Sequence, residues 1–312
     1  MTKTILVTGC AGFIGSHLCK YLLEKENCKI IGLDNLSTGK KTNIESLLKK
    51  NNFQFIEGDI VEPLLFKEQI NEIYNLACPA SPTAYQKDAI HTIKTNTIGI
   101  LNVLELARKN KAKILQSSTS EVYGDPLQNP QNEKYNGNVN PIGPRACYDE
   151  GKRLAETLFF EYERKYKIKI RVARIFNTYG PKMDVNDGRV ISNFIVQALQ
   201  AKDITVYGKG SQTRSFCFIT DMVIGLHKLM NGGITGPVNL GNPNEKTILQ
   251  IAKIIIKMTS SKSKIIFKNL PKDDPRQRKP DIALAKKVLR WNPIVSLDNG
   301  LKETIKYFQY VL

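Results

Sequence analysis

Short apolar runs alternate with amphipathic stretches along the first half of the chain. Residues 3–8 (KTILVT) form a β-branched apolar run that is typical of a buried strand. Residues 13–25 have the spacing of an amphipathic helix, and residues 29–34 (KIIGLD) form a second apolar run. This order predicts a βαβ unit at the N-terminus.

The alternation continues to about Gly180. Further strands are predicted at 53–57, 72–76, 113–117 and 168–175, and further helices at about 87–109 and 148–166. Such alternation favours an α/β fold, a Rossmann-type doubly wound parallel sheet with helices on both faces.

Beyond Gly180 the pattern weakens into loops rich in Gly, Asn and Pro. Short helices are predicted near 188–201, 220–230 and 246–258. We therefore expect residues 1–180 to form the sheet domain. Residues 181–312 are expected to form a smaller α/β domain that caps it, with segments that interleave with the first.

Composition excludes several classes of protein. The chain has 312 residues, 41% of them hydrophobic, and no apolar run approaches the roughly 18 residues of a membrane span. The first residues lack the apolar core of a secretion signal. The six cysteines are scattered without a C-x-x-C pair, which indicates neither a metal site nor a disulfide framework. A soluble protein of the reducing cytoplasm is predicted.

The formal net charge of +17 has two interpretations. The 46 Lys and Arg residues outnumber the 29 Asp and Glu residues, and a basic protein attracts anions, nucleic acid included. The lysines, however, are spread along the whole chain, without a basic helix. We favour a solvated lysine-rich surface and no nucleic-acid partner, and keep a nucleic-acid-binding protein on a Rossmann scaffold as a remote alternative.

A glycine-rich turn joins the first predicted strand to the first predicted helix. Gly9, Gly12 and Gly15 have the spacing G-x-x-G-x-x-G, which allows a pyrophosphate to approach the helix N-terminus closely. Asp34 ends the second strand, where its carboxylate would bind a ribose diol and repel a 2′-phosphate. The turn therefore predicts NAD rather than NADP. Asp59, after the third strand, either faces the adenine or is an ordinary turn aspartate.

A second group of residues suggests catalysis. Tyr148 and Lys152 are four positions apart, so on a helix they share one face, and the ammonium is expected to lower the pKa of the phenol towards neutrality. By itself such a pair is more often solvated than catalytic. Thr119 lies at the carboxyl end of a predicted central strand, where ligands bind in doubly wound sheets. Together with the glycine turn, these residues favour an enzyme.

The chain resembles the extended short-chain dehydrogenase/reductases, and within them the UDP-glucuronate decarboxylases. The resemblance runs almost end to end. The segments that carry it are CPASP (78–82), IKTN (93–96), STSEVYG (118–124), NPIGPR (140–145), RIFNTYGP (174–181) and QTRSF (212–216). One departure is Cys10, where relatives usually have Gly; it lies between the required glycines, and we expect little effect on NAD binding.

The strand-end motif separates relatives with different chemistry. The resemblance implies that 4,6-dehydratases carry an Asp-Glu pair after the Thr, whereas 4-epimerases generally lack an acid there. This chain has Ser120 and Glu121, which favours decarboxylation. A 4,6-dehydratase or a 4-epimerase on the same scaffold is the alternative, and a solvated loop carboxylate is the alternative for Glu121.

The resemblance also implies a mechanism. Tyr148, with Lys152 and Thr119, removes the 4-hydroxyl proton of UDP-glucuronate while NAD takes hydride, and the resulting 4-keto acid loses carbon dioxide. Glu121 or its neighbours orient the water that reprotonates C5. Returned hydride then gives UDP-xylose, so NAD is retained.

The full set of site residues combines the predictions above with what the resemblance implies. The residues implied at the cofactor are Gly9, Gly12, Phe13, Ile14, Gly15, Asp34, Asn35, Asp59, Ile60, Thr95, Ser117, Tyr148, Lys152 and Thr178. The residues implied at the substrate are Lys94, Ser120, Asn177, Arg189, Arg214 and Arg278. No metal is implied. The family usually forms homodimers through the helices that correspond here to 87–109 and 148–166.

Overall fold

A seven-stranded sheet, parallel throughout, forms the centre of the computed structural model, which describes residues 2–271, 273 and 275–312. The strand order is β11-β6-β5-β4-β1-β2-β3. These strands are β1 (Lys3–Thr8), β2 (Cys28–Asp34), β3 (Phe53–Glu57), β4 (Glu72–Asn75), β5 (Lys113–Thr119), β6 (Ile170–Ile175) and β11 (Val238–Leu240). The order reverses between β1 and β4, and ligands of doubly wound sheets bind at such a point. The predicted fold class is confirmed.

Both faces of the sheet are covered because successive strand residues point to opposite sides. Ile5 and Val7 of β1 pack into one apolar cluster, and Leu6 packs into the other. The helices of the fold are α1 (Phe13–Lys25), α2 (Lys41–Leu48), α3 (Pro82–Lys87), α4 (Ala89–Lys94), α5 (Ile100–Asn110), α6 (Ala146–Tyr166), α7 (Val190–Leu199), α8 (Ile219–Asn231), α9 (Ile248–Thr259), α10 (Ala283–Leu289) and α11 (Leu297–Val311). Helices α1 and α8 cover the first face, and α5 and α6 cover the second.

The chain after residue 180 contributes to both parts of the molecule. Strand β11 pairs with β6 in the main sheet, and α8 packs against α1 and β6. The remaining strands of the fold form smaller sheets outside the main one. They include the short strands β7 (Thr178–Tyr179), β8 (Ile204–Tyr207), β9 (Thr213–Ser215), β10 (Cys217–Phe218), β12 (Glu245–Thr247), β13 (Ile265–Lys268) and β14 (Gln277–Arg278).

The long helix predicted at 87–109 is wrong in detail. The segment consists of α3, α4, a π-helical turn at Thr95–Gly99, and α5. The Thr95 hydroxyl donates to the His91 carbonyl, and the Asn96 amide donates to the Thr92 carbonyl. Side chains that bond to the preceding turn in this way disturb regular helical spacing, and π-turns are frequent at functional sites.

Helix α11 was not predicted, although its pattern is regular. Leu301, Ile305 and Phe308 are buried at helical spacing, and the Ser296 hydroxyl caps the helix by accepting the Asn299 N–H. Within the described residues, no helix combines the length and apolar character that crossing a membrane requires.

Candidate active site

The glycine-rich turn closes tightly between β1 and α1. Gly9 has a φ of +70°, and a Cβ on Gly15 would lie 2.0 Å from the Gly9 carbonyl oxygen, so both positions require glycine. Gly12 precedes α1 without a side-chain cap, which leaves the first N–H groups of the helix facing the turn. These features fit a dinucleotide pyrophosphate.

Two carboxylates lie near the glycine-rich turn, one at the end of β2 and one after β3. Asp34 Oδ2 accepts the Ala11 N–H at 2.9 Å, and Asp34 Oδ1 accepts the Leu36 N–H at 2.8 Å. Burial raises the pKa of Asp34, and these backbone N–H groups act in the opposite direction. Asp59 Oδ2 accepts the Asn35 amide at 2.6 Å and lies 3.2 Å from His91 Nε2. Asp59 Oδ1 also accepts the Val61 N–H at 2.9 Å, so both side-chain and backbone groups hold Asp59.

A single cleft of about 1810 Å³ joins the glycine turn to the carboxyl ends of the central strands. It brings together nearly all of the residues predicted at the cofactor and the substrate. Those on its wall are Gly9, Gly12, Phe13, Ile14, Gly15, Asp34, Asn35, Asp59, Ile60, Thr95, Ser117, Thr119, Ser120, Glu121, Tyr148, Lys152, Asn177, Thr178, Arg189 and Arg214.

Two predicted substrate residues are placed differently. Lys94 is exposed and is not on the wall of the cleft; its position on α4 points it to solvent, as a helix lysine commonly does. Arg278 is also off the wall, but it is only 1% exposed and donates from Nη2 to Glu121 Oε2 at 3.0 Å. Arg278 therefore contacts the site through Glu121.

Tyr148 and Lys152 share one face of α6, as predicted. Lys152 Nζ lies 5.7 Å from the centroid of the Tyr148 ring and donates to the Ser117 carbonyl at 2.9 Å. Tyr148 forms a hydrogen bond with Thr119. The Tyr148 ring stacks on the Tyr85 ring, with the two centroids 4.9 Å apart.

The expected direction of the Tyr148 pKa is wrong for this structure. Burial raises the pKa of Tyr148 well above its usual value, and the Thr119 hydrogen bond only partly opposes this. Burial also lowers the pKa of Lys152. A nearby ammonium therefore does not suffice to activate the phenol when both groups leave water.

Glu121 is held in its ionised form. Its Oε2 accepts Arg145 Nη2 at 2.5 Å as well as Arg278. Burial by itself raises the pKa of Glu121, but Arg278, Arg145 and Arg214 outweigh burial and bring it to about 2. A solvated loop carboxylate, the alternative interpretation, does not match this environment.

The cleft holds further cationic side chains. Arg189 forms a bidentate pair with Asp187, at 2.6 and 2.7 Å, and Arg214 Nη2 donates to the Pro275 carbonyl. In the part of the chain that the structure describes, His, Cys, Asp and Glu side chains form no group of three that could hold a metal ion.

Arg145 and Tyr85 are among the wall residues that escaped the sequence prediction. Arg145 ends the NPIGPR segment, and Tyr85 follows the CPASP segment. Both segments carry the resemblance, but only contacts across the fold show that Arg145 meets Glu121 and that Tyr85 stacks on Tyr148.

Together, the parallel sheet, the glycine turn and the Thr119, Tyr148 and Lys152 constellation define a short-chain dehydrogenase/reductase of the extended type. The family model for GDP-mannose 4,6 dehydratase matches residues 6–304. UDP-glucuronic acid decarboxylase 1 of Danio rerio is 54% identical over 98% of this chain and 72% of its own length. UDP-glucuronic acid decarboxylase 5 of Arabidopsis thaliana is 55% identical over 95% of this chain and 86% of its own length. The chain belongs to the GDP-mannose 4,6 dehydratase family and, within it, to the UDP-glucuronic acid decarboxylases.

Solved structures of other enzymes have the same fold. The UDP-glucuronic acid 4-epimerase of Bacillus cereus, in complex with UDP-glucuronic acid and NAD, superposes with a TM-score of 0.90 at 31% identity, over 99% of this chain and 100% of that one. The dTDP-glucose 4,6-dehydratase of Bacillus anthracis, in complex with NAD, has a TM-score of 0.87 at 28% identity, over 99% of this chain and 97% of that one. The same scaffold thus serves several reactions.

Proposed function

We propose that this protein decarboxylates UDP-glucuronate to UDP-xylose through a 4-keto intermediate and retains NAD through the cycle. The decarboxylases above support this assignment. The observation that carries it is Glu121, ionised between Arg145 and Arg278 at the end of β5. A dehydratase needs a protonated acid for the leaving hydroxyl, and an ionised Glu121 beside Ser120 supplies none.

The glycine turn and the two carboxylates would hold the cofactor. The turn would bind the pyrophosphate of NAD, with Asp34 at the ribose and Asp59 towards the adenine. When bound, NAD would supply the hydride acceptor and donor for the sugar C4 and a positive charge in the cleft.

The protein side chains handle the protons. Tyr148 takes the 4-hydroxyl proton, and Thr119, within hydrogen-bond reach of Tyr148, orients that hydroxyl. Burial raises the pKa of Tyr148. The phenolate that acts as the base therefore forms only when cationic groups, Lys152 among them, offset the free-energy cost of the buried charge.

Loss of carbon dioxide follows from the position of the ketone. With a carbonyl at C4, the carboxylate on C5 departs to leave an enolate, which hydrogen-bond donors stabilise. Ionised Glu121 is suited to orienting the water that reprotonates C5. Arg189 and Arg214 on the wall supply positive charge for the diphosphate of the substrate. Two nitrogen atoms of buried Arg278, Nε and Nη1, have no hydrogen-bond partner among the described residues.

The product identifies the reaction. Purified protein is incubated separately with UDP-glucuronate, UDP-glucose and dTDP-glucose, and the products are identified by NMR. We expect carbon dioxide and UDP-xylose from UDP-glucuronate and no net conversion of the other two. A 4-epimer of UDP-glucuronate, or a 4-keto-6-deoxy sugar from either hexose, would contradict the proposal and assign the chain to the epimerases or the dehydratases.

We also propose that the protein acts as a cytoplasmic homodimer without a nucleic-acid partner. Exposed apolar side chains on the α4–α5 and α6 helices support the dimer; they are Ile90, Ile93, Ile98, Leu101 and Leu154. Six free cysteines are compatible with a reducing compartment. Salt-sensitive binding of duplex DNA or RNA would contradict the last part of this proposal.

A further inference from the structure

Asp149 is a buried carboxyl group that the proposed mechanism does not use. It lies in the first turn of α6, next to Tyr148, and is 6% exposed. Its Oδ1 is buried and has no hydrogen-bond partner among the described residues. Its Oδ2 lies 3.8 Å from Arg145 Nε. This distance permits attraction but is too long for a hydrogen bond.

Arg145 stands between two carboxyl groups. Its Nη2 donates to Glu121 at 2.5 Å on the wall of the cleft, and its Nε faces Asp149 behind that wall. An ionised Asp149 would compete with Glu121 for the same guanidinium. A neutral Asp149 does not compete with Glu121 for the guanidinium, and burial without a hydrogen bond favours the neutral form.

The surroundings of Asp149 reinforce this preference. Burial and the charge of Glu121 raise the pKa of Asp149 to about 7, against the opposing influence of Arg145 and Arg278. Among the described residues, the groups that face it are Glu121 after β5, Arg145 at the N-cap of its own helix, Cys147 and Glu150 on that helix, Arg278 on β14 and Tyr85 on α3.

We propose that Asp149 is a positioning residue whose proton keeps Arg145 on Glu121, so that ionisation of Asp149 loosens Glu121 and slows decarboxylation. This inference rests on the proposed function. Asp149 does not line the cleft, so it acts through Arg145 and not on the substrate.

The test compares pH profiles of kcat and KM for UDP-glucuronate in the wild type and in Asp149→Asn, which cannot ionise. For the wild type we expect kcat to fall about tenfold per pH unit above the Asp149 pKa. For Asp149→Asn we expect this basic limb to disappear. Glu150→Gln is the matched control, because it removes a carboxylate from the neighbouring residue, whose side chain is 40% exposed. It should keep the basic limb, moved slightly to lower pH because Glu150 contributes to the raised pKa of Asp149.

A second measurement does not depend on activity. Because the pKa of Asp149 is higher in the folded than in the unfolded protein, it favours folding at low pH, and this stability is lost as pH rises from about 4 to about 7. The Tm of Asp149→Asn relative to the wild type should therefore rise over this interval and level off above it. Glu150→Gln should show no such trend.

The outcomes separate the two proposals. A wild type that forms no UDP-xylose at any pH contradicts the proposed function, and the Tm comparison still tests Asp149. A wild type that forms UDP-xylose while Asp149→Asn keeps the same basic limb overturns the inference. Asp149→Ser serves if the Asn variant does not fold. Failure of both neutral variants to fold would also overturn it, since the neutral side chain is the native form.

Discussion

The two principal side chains of the site differ in charge, although burial disfavours the charged form of both. Both Glu121 and Tyr148 lose solvent, and loss of solvent disfavours the charged form of each. Glu121 receives direct hydrogen bonds from Arg145 and Arg278 and stays ionised. Tyr148 has Lys152 5.7 Å from its ring centroid, and its pKa rises. The difference lies in direct contact with a cation.

Replacing Tyr148 by Phe tests the base. The ring and its stack on Tyr85 are kept, but the phenol oxygen is lost, so we expect kcat to fall by about 10²–10⁴ while NAD remains bound. Turnover and the NAD content of the purified variant are the measurements. Tyr166→Phe, at the exposed end of the same helix, is the control. Normal turnover by Tyr148→Phe would exclude Tyr148 as the base.

Replacing Glu121 by Gln tests the decarboxylation step. The variant keeps the shape but removes the charge that faces Arg145 and Arg278, so we expect slower decarboxylation, by about 10²-fold, with some oxidation at C4 remaining. UDP-xylose formation and absorbance of NADH measure the two steps separately. The control is Glu161→Gln, which removes one partner of an exposed ion pair on α6 and should behave as the wild type. Parental activity in Glu121→Gln would remove Glu121 from the mechanism.

At the scale of elements, the site depends on close approaches that small residues permit. The β1–α1 turn places Gly15 against the Gly9 carbonyl, and α6 approaches the π-turn where a Cβ on Gly151 would lie 3.1 Å from Asn96. The first approach shapes the cofactor end, and the second sets the helix that carries Tyr148 and Lys152.

Replacing Gly15 by Ala tests the turn. Its Cβ would meet the Gly9 oxygen at 2.0 Å, so the backbone must open, at a cost of about 1–3 kcal/mol. We expect the variant to lose bound NAD, measured as nucleotide released on denaturation. At Gly233 a Cβ meets nothing within 4 Å, so Gly233→Ala should keep its NAD. Equal NAD content in the two variants would contradict the role assigned to this turn.

At the scale of the molecule, the cleft lies where distant parts of the chain meet. Strand β11, from the C-terminal half, extends the N-terminal sheet beside β6, while β14 delivers Arg278 to Glu121 across more than half of the chain length. The substrate end of the site is therefore assembled only when both halves are folded.

At the scale of the molecule, the exposed apolar faces of α4–α5 and α6 are the surfaces that would form the proposed dimer. We expect Leu154→Glu to weaken the proposed dimer by about tenfold or more, because a charge would be buried in the interface. Sedimentation velocity over a dilution series measures this. Leu65→Glu, at an equally apolar but more exposed loop position, should leave assembly unchanged. A wild type that is monomeric at all concentrations would contradict the dimer.

Much of the fold and part of the site were predictable because they are local in sequence. Apolar runs define β1 to β6, glycine spacing defines the turn, and four-residue spacing puts Tyr148 and Lys152 on one helix face. The π-turn escaped prediction because it depends on Thr and Asn side chains that bond back to the helix. Helix α11 also escaped it, although its buried residues have helical spacing.

The sequence by itself determined the parallel sheet and the dinucleotide turn, since each depends on neighbours along the chain, and it predicted which side chains react. Only the tertiary structure decided their charges. Arg145 and Arg278 meet Glu121 from 24 and 157 residues away, and burial sets the pKa values of Tyr148 and Asp149. Solvation and Coulomb interaction depend on distance in space, which the order of residues does not state.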